Sequence, residues 1–127
     1  MMVLLDTNAL MMPVEVGVRL FDELDRVVGE ADLAVPAAVV AELRALADGA
    51  GEEARAARVG HDLAERCSVV EHEADYADDA VVELGPAYDY VVTNDRALRE
   101  RLHAQDVRTI GVRGRNTLAI HQRASTN

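Results

Sequence analysis

The chain has 127 residues, half of them apolar, with one Phe, no Trp and a formal net charge of −10. That length fits one domain around a core of Val, Leu and Ala. No stretch reaches the roughly 18 apolar residues of a membrane-spanning helix and no leader pattern opens the chain, so a cytoplasmic protein with no membrane partner is expected. All 13 basic residues are arginine, which excludes P-loop phosphate binding through Lys, Schiff-base catalysis and phospho-aspartyl chemistry that relies on a neighbouring Lys.

The first element is a strand at 2–6, where Met1, Met2, Met11 and Met12 are expected to fill gaps in the core. A turn is expected around Pro13. The spacing of Val16, Leu20, Leu24 and Val27 then predicts a helix over 15–28 that Gly29 stops. Leu33 to Pro36 reads as a second strand, and the proline suits the start of a helix over 37–47. On that helix Glu42 borders the stripe formed by Val39, Leu43 and Leu46. Asp48 to Gly51 is a break, followed by a helix over 52–66 and a strand over 68–71. A helix over 77–85 opens on Asp78 and Asp79, whose charges favour a helix N-terminus. A strand over 90–93 leads directly into a helix over 95–104. A fifth strand, 109–112, precedes a short basic tail, with fraying expected at 125–127. Strands alternating with helices imply parallel βαβ units in an α/β fold, one domain spanning 1–124.

Charge is unevenly spread. Residues 96–127 carry seven arginines against two acids, a balance of +5, whereas residues 1–95 carry six arginines against 21 acids, a balance of −15. The basic C-terminal quarter can meet a polyanion that the acidic body would repel. Many acids without Lys also suit a protein dissolved in concentrated salt, although GC bias alone would replace Lys by Arg. The lone Cys67 has no intramolecular partner and reads as a small core residue.

Four acidic positions are candidates for chemistry. Asp6 ends the run Val3-Leu4-Leu5, and Asp95 ends Val91-Val92-Thr93-Asn94. If both runs are parallel strands, their carboxylates reach the carboxyl edge of one sheet, where open α/β folds bind ligands. Glu42 and the Asp78-Asp79 pair lie on helices that can point at the same edge. Converging carboxylates repel unless a cation joins them, and hard oxygen donors suit Mg²⁺ or Mn²⁺. Each acid also has a bland reading, as a helix cap or a solvated helix charge. His61, His72, His103 and His121 are too scattered for paired metal ligation and read as surface or capping residues.

The ordered set resembles the PIN-domain ribonucleases, whose pattern is a hydrophobic strand ending in Asp-Thr-Asn, a mid-chain Glu on a helix, an Asp opening a later helix, and Thr-Asn-Asp after the next strand. The resemblance covers essentially the whole chain. It implies a three-layer α/β/α sandwich and a metal-dependent endoribonuclease, with Asp6, Glu42, Asp79 and Asp95 as catalytic acids and ligands of Mg²⁺ or Mn²⁺. Asp79 is preferred to Asp78 because it precedes Ala80 as the family acid often precedes Ala, although Asp78 shares a face with Val81 and Val82. Thr7, Asn8, Thr93 and Asn94 would order the acids. The charge of the C-terminal quarter suits Arg96, Arg113 and Arg115 to grip RNA phosphates, or Arg113 to Asn116 to neutralise the acidic body or a partner. Family settings include VapC-type toxins held by an antitoxin and archaeal nucleases of ribosomal RNA maturation with assembly partners; homodimers are common. The alternative is an inactive PIN-like module binding RNA or protein, which a complete acid set disfavours. A haloacid-dehalogenase-like phosphatase using Asp6 as nucleophile needs a second Asp where Asn8 stands.

Overall fold

A computed structural model describes residues 1–121. Residues 122–124 of the expected domain and the expected frayed tail at 125–127 lie outside the described residues. The elements are β1 (Met2–Leu5), α1 (Thr7–Glu15), α2 (Leu20–Val28), β2 (Asp32–Pro36), α3 (Ala37–Ala47), α4 (Gly51–Ala64), β3 (Ser68–Val70), α5 (Ala77–Leu84), a 3-10 turn (Gly85–Ala87), β4 (Tyr90–Val92), α6 (Arg96–His103), β5 (Thr109–Arg113) and β6 (Thr117–His121). They form an α/β sandwich around one sheet of order β3-β2-β1-β4-β5-β6, parallel except for the antiparallel edge strand β6.

The centre of the sheet follows from sequence. Val3, Leu4, Leu5, Val91 and Val92 are wholly inaccessible to solvent, as unbroken apolar runs on the two middle strands require when helices cover both faces. From β1 the chain steps one way to β2 and β3, then returns past β1 to β4 and β5. Right-handed crossovers therefore assign the helices before β3 to one face and α5 and α6 to the other. In agreement, α4 packs along α1 and α3, and α5 packs on α6. The strand order reverses between β1 and β4, which makes the gap above their carboxyl ends the crevice where such folds bind ligands. None of the described helices is long and apolar enough to cross a membrane.

Three expectations are corrected. Instead of a turn at Pro13, α1 runs from Thr7 through Pro13 to Glu15, and the break falls around Gly17, whose φ is +69°. Proline inside a helix costs about 3 kcal/mol. Burial of Leu10, Met11 and Met12 outweighs this at roughly 1.5–3 kcal/mol each. Secondly, Met1 and Met2 are 51 % and 45 % exposed and only Met11 and Met12 enter the core. Thirdly, the basic tail folds back as β6, paired with β5 from Thr109↔His121 to Arg113↔Thr117 across a turn containing Gly114 at φ +74°.

The open edge of β6 is covered by α2. The Leu118 N–H donates to Glu23 Oε1 at 2.8 Å and Arg26 Nη2 donates to the Leu118 carbonyl at 2.7 Å, so an ion pair on one helix satisfies a peptide that would otherwise invite another strand. Two histidines also do structural work. The His72 Nε2 accepts from Ala38 N–H at 3.0 Å and caps α3, and His103 Nε2 bonds the Thr109 hydroxyl at 2.9 Å. Cys67 is half-buried against the core, and burial pushes its thiol up to about 11, which suppresses the reactive thiolate.

Helix α4 lies against α1 at Gly60. A Cβ there would stand 2.8 Å from the Leu10 carbonyl oxygen and 3.2 Å from Leu43 Cδ2. Backbone cannot yield as a side chain tip can. Gly60→Ala is expected to lower unfolding stability by about 1–3 kcal/mol through overpacking, read as a drop in the denaturant midpoint. An unchanged midpoint would show that α1 and α4 have room to spare.

Candidate active site

Pairing of Leu5 with Val92 levels the two central strands, so the next residues, Asp6 and Thr93, emerge side by side at the carboxyl edge. The Asp6 N–H donates to the Val92 carbonyl at 3.3 Å, continuing the ladder one step past the strand. Asp6 then caps α1, its Oδ1 accepting the Ala9 N–H at 2.7 Å. Asp95 repeats the arrangement after β4, capping α6 by accepting the Leu98 N–H at 2.9 Å. Both acids are thus helix caps, as the bland reading held, yet that role uses only one oxygen of each.

Between them stands Thr93, fully buried. Its hydroxyl hydrogen-bonds the Asp6 carboxylate and accepts the Asp95 N–H at 3.1 Å. The neighbouring amides extend the brace. Asn8 Oδ1 accepts the Asn94 N–H and Asn94 Oδ1 accepts the Val112 N–H, each at 3.1 Å, tying the start of α1 through the loop after β4 to β5.

A cleft of about 330 Å³ opens over this edge, and Asp6, Glu42, Asp78 and Asp95 all line it together with Thr7 and Asn8. Glu42 reaches it from α3 and Asp78 from the first turn of α5. Glu15 and Glu53, which the sequence does not single out, line it as well. They arrive through the packing of α1 on α4, a tertiary contact without a local motif. Asp79 is not in the cleft. Consecutive helical residues diverge by about 100°, and its Oδ1 instead accepts a hydrogen bond from Arg101 Nη2 at 2.9 Å. Asp78, which shares a helix face with Val81 and Val82, is thus the member of the pair that lines the cleft, and Asp79 is not. Arg96, Arg113 and Arg115 are exposed and none lines the cleft. Arg96 Nε reaches Glu100 Oε1 at 3.4 Å.

Electrostatics mark the cleft as crowded. Asp6, 3 % exposed, is pushed up to about 7, first by burial and then by Asp78 and Asp95, against the hydrogen bonds from Thr93 and Ala9. Burial and Asp78 raise Glu42, and burial and Asp95 raise Asp78, with Arg101 offsetting part of the latter. The Thr7 hydroxyl lies toward Glu42 and eases its shift; that oxygen is buried and has no well-formed hydrogen-bond partner. Hard carboxylate oxygens and acids held above their ordinary range fit a divalent cation of the Mg²⁺ or Mn²⁺ kind. Among the described residues, the one group of three whose ligand atoms all lie within 4.8 Å of one another is elsewhere, at the end of α4, where His61 and Asp62 lie in the last turn and Glu65 is the C-cap. No three cleft acids meet that spacing, and reading each histidine separately passes over the α4 group.

Asp6 carries a stability consequence. Its ordinary carboxyl titrates at 3.8 and the folded one near 7. Between those values the native protein holds a proton that the unfolded chain has lost, so stability falls as pH rises through the window. Asn caps a helix as well as Asp. In metal-free buffer Asp6→Asn is therefore expected to be more stable than wild type at pH 8, by at most about 4 kcal/mol, with the gain gone below about pH 4. Equal melting shifts at both pH values would contradict the burial argument.

Comparison with known proteins agrees with the geometry. No curated protein matches the chain. Among solved structures it is similar to the PIN domain endonuclease Utp24, with a TM-score of 0.77 at 23 % identity over 96 % of this chain and 92 % of that one, a likeness of fold. The PIN-like domain family matches residues 3–115, nearly the whole described chain. By that match, and with the sheet and cleft to accord with it, the chain belongs to the PIN-like domain family, a group of nuclease-type domains.

Proposed function

We propose that this protein is a metal-dependent endoribonuclease, with Asp6, Glu42, Asp78 and Asp95 as its catalytic acids and as the holders of Mg²⁺ or Mn²⁺. One observation carries the reading: a strand register that places Asp6 and Asp95 on either side of the Thr93 hydroxyl, with Glu42 and Asp78 brought to the same cleft from two other helices. Asp78 replaces Asp79 in the set because Asp79 is engaged by Arg101 outside the cleft. The likeness to a PIN endonuclease supports internal cleavage of the substrate.

A bound divalent cation supplies Lewis acidity, polarising a phosphodiester and acidifying water. The chain's own residues fix where that happens. Thr93, Asn8 and Asn94 hold the loop after β4 rigid against α1, so Asp6 and Asp95 do not reorganise when substrate arrives. Asp95 Oδ1 is committed to the Leu98 N–H, which leaves Oδ2 for the ion. The carboxyl of Asp6, pushed up to about 7 by burial, would be favoured in its ionised form by a cation held in the cleft. With water as nucleophile in an in-line displacement, the products carry a 5′-phosphate and a 3′-hydroxyl. A toxin restrained by an antitoxin and a nuclease of ribosomal RNA maturation would use this site alike, so the reading assigns the cleavage and leaves both settings, and a homodimer, compatible with it.

The test is cleavage of single-stranded RNA with and without Mg²⁺ or Mn²⁺. Asp6→Asn and Asp78→Asn are expected to lose on the order of 10²-fold or more in rate, as loss of a group needed in the transition state does, while Asp79→Asn stays within a few-fold of wild type. Cleavage that survives Asp6→Asn, persists in EDTA or leaves 2′,3′-cyclic ends would overturn the assignment.

A further inference from the structure

The substrate proposed above is a polyanion, and the cleft that must receive it is lined by acids. A cationic foothold beside the cleft is therefore needed, and the described residues contain one. A cavity of about 730 Å³ is lined by Arg99, Val112, Arg113, Gly114, Ile120 and His121, without a carboxylate. Among the described residues, neither Arg99 nor Arg113 has an acid within ion-pair distance, although acids outnumber bases 23 to 13 in the chain.

The site is built from three elements. Arg99 Nη1 stands 2.8 Å from His121 Nδ1. Arginine only donates, so Nδ1 accepts and the imidazole is neutral there. The ring also hydrogen-bonds the Val112 backbone, which fixes its orientation and with it the guanidinium of Arg99. Gly111 makes this possible. A Cβ at that position would stand 2.9 Å from the Thr93 carbonyl oxygen and 3.0 Å from His121 Cε1, so the missing side chain leaves room for the Thr93 backbone and the His121 ring to approach Gly111. Asn94 links the two linings, its N–H donating to Asn8 Oδ1 of the acid cleft and its Oδ1 accepting the N–H of Val112 of the basic cavity.

We propose that this cavity is a phosphate subsite for the RNA strand, in which Arg99 and Arg113 pair with a phosphodiester flanking the scissile one and His121 positions Arg99. A guanidinium offers parallel N–H donors that match phosphate oxygens. The hydrogen bonds from Asn8 through Asn94 to Val112 join the lining of the cleft to that of the cavity, so one strand can meet both. The inference rests on the nuclease reading for what occupies the neighbouring cleft, not for the cavity itself.

The test is anisotropy of a short fluorescein-labelled oligouridylate binding to full-length Asp6→Asn protein, which leaves the RNA uncut, across a KCl series. Adding Arg99→Gln or Arg113→Gln is expected to weaken binding several-fold and to flatten the slope of log affinity against log salt by about 0.7 for each lost phosphate contact. Arg55→Gln removes equal charge on α4 and should change neither quantity. His121→Gln should weaken binding together with Arg99→Gln and add little to it. If Arg99→Gln fails to fold, Arg113→Gln, exposed at the end of β5, decides alone. Affinity and slope matching those of Arg55→Gln would overturn the proposal. Displacement of the RNA equally well by charge-matched polyglutamate or inorganic phosphate would also overturn it, in favour of an acidic partner or a free anion. Cleavage by the otherwise unaltered chain separates the two readings. Metal-dependent cutting without any effect of Arg99 or Arg113 on binding removes the subsite alone, and their effect on binding without any cutting removes the nuclease reading alone.

Discussion

The structure turns on the pairing of β1 with β4. Because Leu5 lies opposite Val92, the residues that follow each strand leave the sheet level with one another, and a single buried hydroxyl, that of Thr93, can touch both acids. A one-residue slip would send each of these side chains to the opposite face. Val3 to Leu5 and Val91 to Val92 are wholly inaccessible, so a slip would disrupt close packing on both faces of the sheet. Packing in the core thus sets the positions of the charges at the edge.

Those charges strain the fold that positions them. Asp6 stabilises α1 as its cap while burial and two neighbouring carboxylates hold its own ionised form at a disadvantage. The acids converge from four elements, and Asp6 and Asp95 cannot leave the edge without uncapping a helix. A site of this kind gains most from a cation, since the ion relieves the repulsion that folding imposes. The basic cavity has the complementary charge and is joined to the acid cleft through the hydrogen bonds of Asn94 to Asn8 and Val112.

Much of this was readable from residues. Unbroken apolar runs ending in Asp6 and in Thr93 to Asp95 identify central strands with acids at their carboxyl ends, and the stripe beside Glu42 gives its helix face. What escaped depends on contacts made far away in sequence. Pro13 stays helical because Leu10 to Met12 find a core, which no local propensity records. The fifth and sixth strands form a hairpin around Gly114 whose turn residues, rich in arginine, resemble a basic tail. Asp78 and Asp79 differ by one helical step, so a motif aligned by its neighbour picks the one held by Arg101, whereas helix phase picks the one in the cleft. Glu15 and Glu53 enter only because Gly60 lets α4 close on α1.

The central claim is that side chains distant in sequence hold one divalent ion. Anomalous diffraction from crystals soaked in Mn²⁺ tests it most directly. The account predicts a peak in the cleft bounded by Asp6, Glu42, Asp78 and Asp95. A peak confined to His61, Asp62 and Glu65 at the end of α4, or cleft carboxylates that stay apart around no density, would contradict it.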